Sequence, residues 1–199
     1  EGEHLISFQI GKIGEKLGCL VDSNYDSTTG ATGAFTMNET RTNIGGWVNS
    51  HMRKTVLGGD STSATSPTAN TLLAALPVDL RAVMKPATKY SDNTGGEHDT
   101  ASYVTATQDL LSLLAEFEYF GVRTNANSAE QNYQAQYDYY KAGNSKVHYK
   151  YNATGTAAIA YCRSVDSSDS RFFCGVNTDG SATGSYANIS RAIAPCFFV

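Results

Sequence analysis

Side chains capable of chemistry are few in this 199-residue chain, and their spacing argues against a catalytic centre. Cys19, Cys162, Cys174 and Cys196 lack the close pairs of a zinc or iron–sulfur site. Two of them could in principle make a redox or copper site. Cys174 and Cys196 stand in apolar, strand-like sequence, however, where a thiol is buried and inert. Disulfides are possible but unforced in a chain this large, and the expectation is free, small buried residues. Glu97-His98-Asp99 is the nearest approach to an acid–base cluster, and its Gly-flanked loop reads as solvated polar sequence. His4, His51 and His148 are scattered. Glu116 and Glu118 could form a carboxylate pair, but they read as surface residues. No G-x-S-x-G, P-loop, G-x-G-x-x-G or H-E-x-x-H occurs. No catalytic residue, metal ligand or cofactor is therefore assigned, and the chain reads as a non-enzyme.

The chemistry that remains is recognition. Tyr161 to Val199 mixes apolar residues with a display of Tyr, Ser, Asp, Arg, Asn and Gly. Tyr for contact area, with Ser, Gly and Asn for adaptable hydrogen bonds, is the composition of a binding paratope. Polar turns share it. No Lys, Glu, Gln, Met or Trp lies after Lys150. Spread evenly, about five would fall between Tyr161 and Val199. Two causes fit. One is the small size of the sample. The other is genetic: an AAC or AAT codon with randomised adenines yields Tyr, Ser, Asp, Arg, Gly, Val, Ala, Phe or Cys, and never those five.

Length suffices for one domain with a substantial core. Charged residues make up only 17%, which suits a loop-rich fold with many turns. The net charge is -4 and no basic run occurs, so a nucleic-acid partner is not expected. No apolar run approaches the length of a membrane span, so no membrane insertion is expected. Glu1 is not an initiator Met and no leader is visible, so the chain reads as a processed or cloned fragment.

Several elements must position the displayed residues. His4–Ile10 reads as a strand. Cys19-Leu20-Val21 and Ala34–Met37 read as short extended pieces. Thr42-Asn43 offers a helix N-cap, and the spacing around Trp47 predicts a helix over about 43–57, with Trp47 in the core. Leu72, Leu73 and Leu76 mark a second helix, which Pro77 restarts and Pro86 ends, over about 68–85. Lys89–Thr100 reads as a polar loop and Leu110–Leu114 as a strand. Ala115–Phe120 reads as a helical turn closed by Gly121. Tyr133, Tyr137 and Tyr140 form a packing stripe on a short helix ending at Gly143. Val147–Tyr151 and Ala157–Tyr161 read as strands.

Several segments, in order, resemble one family. They are TMNETRTNIGGWVNSHMR from Thr36, LLAALPVDLRAVMKPATK from Leu72, LLSLLAEFEYFG from Leu110, YQAQYDYYKAGNSK from Tyr133, and the ending CRS…FFCGV…AIAPCFFV. The chain resembles a phage and gut-bacterial domain family whose members include variable proteins of diversity-generating retroelements. The resemblance implies an α+β domain with a C-type lectin-like fold, small antiparallel sheets, two helices and adjacent N- and C-terminal strands. It also implies a ligand-binding (receptor-recognition) protein on a phage virion tail or a bacterial cell surface. There a reverse transcriptase would write adenine errors into the codons of a variable region, about 158–192. The chain departs from the family pattern at Ala160, Tyr161 and Val165, where two aromatics and a Pro are usual. Either these are diversified positions or the strand register differs.

The expected ligand-binding residues are Tyr161, Val165, Asp166, Ser168, Asp169, Arg171, Phe172, Asn177, Asp179, Ser181, Tyr186 and Asn188. Phe173, Val176, Ile193, Phe197 and Val199 are expected to serve the scaffold. The expected partner is a protein or other surface ligand on a host or neighbouring cell. No calcium site of the sugar-binding lectin type is expected, because no Glu follows Glu130 and Pro195 lies in apolar sequence. Two alternatives stand beside this reading: a fixed tail or adhesin module, and a relative of formylglycine-generating oxidases, which share the fold.

Overall fold

The computed structural model describes residues 7–9, 11–25 and 35–199. In chain order the elements begin with β1 (Ser7–Gln9), β2 (Lys12–Ile13) and β3 (Lys16–Cys19). Then come α1 (Gly46–Asn49), a π-helical segment (Met52–Leu57), α2 (Leu72–Ala75) and α3 (Val78–Val83). Strands β4 (Ala87–Asp92) and β5 (Val104–Asp109) precede α4 (Glu116–Phe120) and α5 (Asp138–Lys141). Six strands close the chain: β6 (His148–Lys150), β7 (Ala153–Ala158), β8 (Ala160–Val165), β9 (Phe172–Val176), β10 (Ala182–Tyr186) and β11 (Cys196–Phe198). The result is an α+β fold of several small sheets, antiparallel apart from the β3–β6 pair, with few and short helices.

The two ends of the described chain meet. β1 pairs antiparallel with β11, placing Phe8 opposite Phe197 and Gln9 opposite Cys196. The expected strand at His4–Ile10 is thus present over Ser7–Gln9, and His4, Leu5, Ile6 and Ile10 lie outside the described residues. Ala34 lies outside them too, and Phe35–Met37 joins no strand.

β9 is the centre of a three-stranded sheet, between β8 and β10. All six residues of β8 are buried, so both faces of that strand are covered. Phe173, Val165 and Ile193 join Trp47, Met52, Leu57 and Leu111 in the largest core cluster. Of the expected scaffold residues, Phe173, Val176, Ile193 and Phe197 are buried and Val199 is half-buried.

The helices occur where the periodicity placed them, but in pieces. The first breaks at Ser50, whose backbone is extended. Its hydroxyl donates to the Trp47 carbonyl and accepts from the Arg53 N–H, ending one piece and starting the next. The second breaks at Leu76, which the following Pro77 holds extended. Thr71 caps α2, accepting from the Ala74 N–H, so the helix begins at Leu72.

Two expectations are corrected. The expected polar loop over Lys89–Thr100 is shorter at its start: Lys89–Asp92 belong to β4, which forms a regular hairpin with β5 from Ala87↔Asp109 to Asp92↔Val104, and the loop runs over 93–100. Leu110–Leu114 is not a strand. It is buried and irregular, and Ser112 alone forms a bridge, exchanging two hydrogen bonds with Cys196. No helix among the described residues is long and apolar enough to cross a membrane.

Candidate recognition face

In the β9–β10 ladder Tyr186 stands opposite Phe172. Cross-strand neighbours bring side chains within reach, and the two rings lie 4.3 Å apart between centroids. The Arg41 guanidinium covers the Tyr186 ring at 3.3 Å, and Arg171 lies 5.5 Å from Phe172 and 5.8 Å from Tyr186. Arg171 is anchored in turn by a two-point contact with Asp169, Nε to Oδ1 at 2.9 Å and Nη2 to Oδ2 at 2.6 Å. Hydrogen bonding from that guanidinium holds the Asp169 carboxyl down at about 2. The outcome is a half-exposed layer of two aromatic rings flanked by two arginines, the residue types that dominate binding hot spots.

Asn43 holds the backbone beneath this layer. It is fully buried. Its Nδ2 donates to the carbonyls of Asp166, Asp169 and Phe172, and its Oδ1 accepts from the Gly96 N–H. Its own N–H donates to the Ser170 carbonyl at 2.6 Å. The 93–97 loop approaches so closely that a Cβ on Gly95 would lie 2.1 Å from the Asn43 carbonyl oxygen, and Gly95 has a φ of +72°. Glu97 of the same loop accepts from the Ser170 hydroxyl at 3.2 Å. Asn43 is thus a clamp on the terminal stretch and not a helix cap; α1 is preceded by Gly45, which makes no side-chain cap bond.

The expected site residues separate into three groups. Ser168, Asp169, Arg171, Phe172 and Tyr186 belong to the face or its border. Asn188 follows Ala187, whose N–H donates to the Arg171 carbonyl, so it lies beside the same end of the hairpin. Asn177, Asp179 and Ser181 sit in the turn at the hairpin's opposite end, where a Cβ on Gly180 would meet Val147. Asp179 accepts from the Ser181 hydroxyl and N–H, which hold its carboxyl below the usual range.

The third group is a correction. Tyr161, Val165 and Asp166 are buried and display nothing. The Tyr161 hydroxyl donates to the carbonyls of Tyr186 and Ile189, and burial pushes its pKa up. Val165 packs in the main core. Asp166 accepts from the Ser168 N–H and hydroxyl, shaping the turn out of β8. β8 is at the edge of its sheet but has both faces covered, so alternation along it does not bring any residue to the surface.

Sequence reasoning did not select Arg41 or Asn43. Both lie in the TMNETRTN segment, far along the chain from the residues they hold. Their signal was a polar cluster directly ahead of a helix, which reads equally well as a cap.

Glu116 and Glu118 are also corrections, since neither is a surface residue. The Glu116 carboxylate accepts the N–H groups of Thr124, Asn125 and Ala126. Glu118 forms a two-point ion pair with Arg163, at 2.5 and 2.9 Å, and lies 3.7 Å from Lys89 Nζ. Burial raises the Glu118 carboxyl, but Arg163 and Lys89 outweigh it and the net effect lowers it to about 2. Behind them, Glu130 accepts from the Ser164 hydroxyl, the Asp92 N–H and Gln134. Burial prevails there and lifts its carboxyl to about 6. These groups form a fully buried polar frame under β8.

All four cysteines are buried and free, and burial raises each thiol. Glu97, His98 and Asp99 are exposed. Asp99 pairs with Arg123 at 3.2 Å, and His98 meets Tyr103 edge-on, so the three do not form a relay. Among the described residues no group of three or more His, Cys, Asp or Glu could hold a metal ion. No family model, curated protein or solved structure matches the chain.

Proposed function

We propose that this chain is a ligand-recognition protein with a C-type lectin-like frame, whose exposed hairpin side chains are diversified by a retroelement. One observation carries the reading. Between Ser168 and Asn188 the side chains of Asp169, Arg171, Phe172, Asp179, Ser181 and Tyr186 touch chiefly one another and Arg41, with Ser168 on Asp166 and Ser170 on Glu97 the exceptions, while Asn43 and the β9–β10 ladder hold the backbone. Side-chain identity there is largely uncoupled from folding, and a diversified surface needs that. Tyr186, Phe172 and the arginines would anchor a protein or other surface ligand of a host or neighbouring cell, and Ser168, Asp169 and Asn188 would tune specificity.

The missing Lys, Glu, Gln, Met and Trp support the reading at the exposed positions only. At the buried positions of β8, β9 and β11 Lys and Glu would be rare anyway unless paired, as Arg163 is. The pairing of chain ends fits the proposed frame, as does the α+β arrangement.

A fixed tail or adhesin module draws support from one contact. Arg41, outside the terminal stretch, lies against Tyr186 and ties a displayed ring to the frame. Sequencing sibling genes from one population separates the two readings. Diversification predicts substitutions concentrated at codons 168, 169, 171, 172, 177, 179, 181, 186 and 188, and sparing 161, 165 and 166. It also predicts a neighbouring near-copy with adenines at those codons. Siblings without that pattern would favour the fixed module.

A further inference from the structure

The sheet that carries the recognition face ends on an open edge. β10 has β9 on one side and no described strand on the other. Two hydrogen bonds, one at each end of the β9–β10 hairpin, fix which groups face outward. The Asn177 N–H donates to the Ser181 carbonyl at 2.8 Å, and the Ala187 N–H to the Arg171 carbonyl at 2.9 Å. Bonded pairs alternate along an antiparallel ladder, so Thr183 and Ser185 also bond to β9. The backbone N–H and C=O of Ala182 and Gly184 therefore point away from it. Among the described residues neither group of Ala182 has a partner, nor has the Gly184 N–H. The Gly184 carbonyl takes only the neighbouring Thr183 hydroxyl, at 3.4 Å. Both residues are half-buried, and Gly184 has no side chain, so its exposure is that of its backbone.

Protein edges are commonly guarded by Lys, Pro or a bulge. β10 reads ATGSY, with none of the three, and its ladder with β9 is unbroken. The other edges differ. β8 has outer groups spent: the Tyr161 N–H donates to the Ala192 carbonyl and the Arg163 N–H to the Leu114 carbonyl. The β6–β7 ladder shifts register at Tyr149/Lys150, and Lys16 Nζ donates to the Thr154 carbonyl on β7 at 3.0 Å.

The charges flanking β10 are self-complementary. At the Tyr186 end Arg41 is exposed and stacked on the ring, and its guanidinium makes no hydrogen bond among the described residues. Asp169 and Glu97 at that end are spent on Arg171 and Ser170. At the Ser181 end Asp179 is exposed, and its Oδ1 takes both bonds from Ser181 while Oδ2 stays open. Lys146, beside that turn, lies over the Phe120 ring instead. A second β10 laid antiparallel about a two-fold axis at Thr183 sets each Ala182 against Gly184 of the other copy. The outward groups then exchange hydrogen bonds in both pairs. The same register brings each Asp179 to the Arg41 end of the other copy.

We propose that the open edge of β10 pairs with the same edge of a second copy of this chain, joining the two three-stranded sheets into one. The proposal rests on neither ligand recognition nor diversification of the hairpin. So short a strand makes a small interface, and the dimer is weak and reversible. Sedimentation equilibrium of the full chain up to ~1 mM should show monomer and dimer in exchange. Amide exchange by NMR should show Ala182 and Gly184 protected at high concentration and released on dilution. Thr183→Lys sets two lysines opposite each other and should weaken association ~10-fold or more. Thr183→Glu should do the same. An equal mixture of the two should associate again, because only this two-fold register sets position 183 against itself. Ala182→Pro, at the first residue of an edge strand with its N–H turned outward, should also weaken the dimer. Thr154→Lys, on β7, should not. Circular dichroism and thermal melting check that each variant is folded. A chain that stays monomeric at ~1 mM overturns the proposal. So does a dimer that Thr183→Lys and Ala182→Pro both leave intact, a mixture that stays monomeric, or loss of the dimer in Thr154→Lys.

Discussion

At the scale of single residues, the terminal stretch depends on side chains outside it. Asn43 spends its whole amide on four backbone partners around the loop from β8 to β9. Asn43→Ala would leave those groups buried and unpaired, at a cost of roughly 3 kcal/mol. Arg171→Ala removes a side chain that is 52% exposed and should change stability little. A denaturant titration of the two variants checks the contrast, and equal losses would mean the displayed residues also carry the fold. His148 gives a pH signature. It is fully buried between Tyr119 and Gln9, and burial lowers its pKa from 6.5 to about 4. The neutral ring is the folded form, so its contribution is present above pH 6.5 and is lost as pH falls toward 4. That amounts to about 3 kcal/mol. Glu130 works in the opposite sense: its carboxyl is raised to about 6, so its contribution is present below its unfolded pKa of 4.5 and lost as pH rises through 6. Wild type should lose stability on acidification from pH 6.5 to 4.5, and His148→Gln should instead gain slightly, because the Glu130 effect then outweighs the smaller losses that begin at the lowered Glu118 and Asp169 carboxyls. Parallel pH profiles of the two proteins would refute this assignment.

At the scale of elements, β8 owes its position to an ion pair as much as to apolar packing. Arg163 bonds Glu118 twice, the Leu113 carbonyl and the Ser91 hydroxyl, joining β8 to α4 and β4. Removing one partner strands the other charge. Arg163→Met should therefore cost about 3–5 kcal/mol, and Glu118→Leu in the same chain should restore much of it. Chemical denaturation of the single and double variants tests the coupling; additive losses would show that the pair does not act as a unit. The same frame explains what was legible in the sequence and what was not. The N-terminal strand, the position of Trp47, and the turns at Pro77 and Gly121 follow from local pattern, and the structure contains them. The β4–β5 hairpin was hidden because ATKYSD and VTATQD bury polar groups. Ser91 is buried against Arg163, and Asp109 against Trp47 Nε1 and Arg53. Apolar alternation is the signal for a strand, and a strand packed through ion pairs lacks it. The same blindness placed Glu116 and Glu118 on the surface. Within the expected site, Phe172 and Tyr186 were readable as aromatics amid polar residues. Tyr161 was not distinguishable from them, because only the fold shows that its hydroxyl is spent on two carbonyls.

At the scale of the whole molecule, β1 closes the frame over the last strand. Phe8 stacks on Phe197 with 5.5 Å between ring centroids. Gln9 threads its amide inward, donating to the Tyr119 hydroxyl at 2.9 Å and accepting from the Tyr140 hydroxyl at 2.8 Å. Beneath this cover Cys196 is only 1% exposed, while Cys174 lies in β9, which does not pair with β1. A chain beginning at Gly11 should therefore lose stability and, while still folded, open one thiol selectively. The measurement is labelling by a thiol reagent under native conditions, with mass mapping of the modified sites. Cys196 should react ~10-fold or more faster than in the full chain, as expected for a locally uncovered site. Cys174 should keep its protection. If both thiols accelerate together, the frame has loosened globally and β1 is part of the core. If neither changes, the C-terminal strand is held by its bonds to Ser112 and by the β11–Lys85 bridge alone. Gln9→Ala refines the point: it keeps the β1–β11 ladder but deletes the inward amide. An intermediate rate for Cys196 in that variant would assign part of the seal to the polar contacts with Tyr119 and Tyr140, and the remainder to strand pairing.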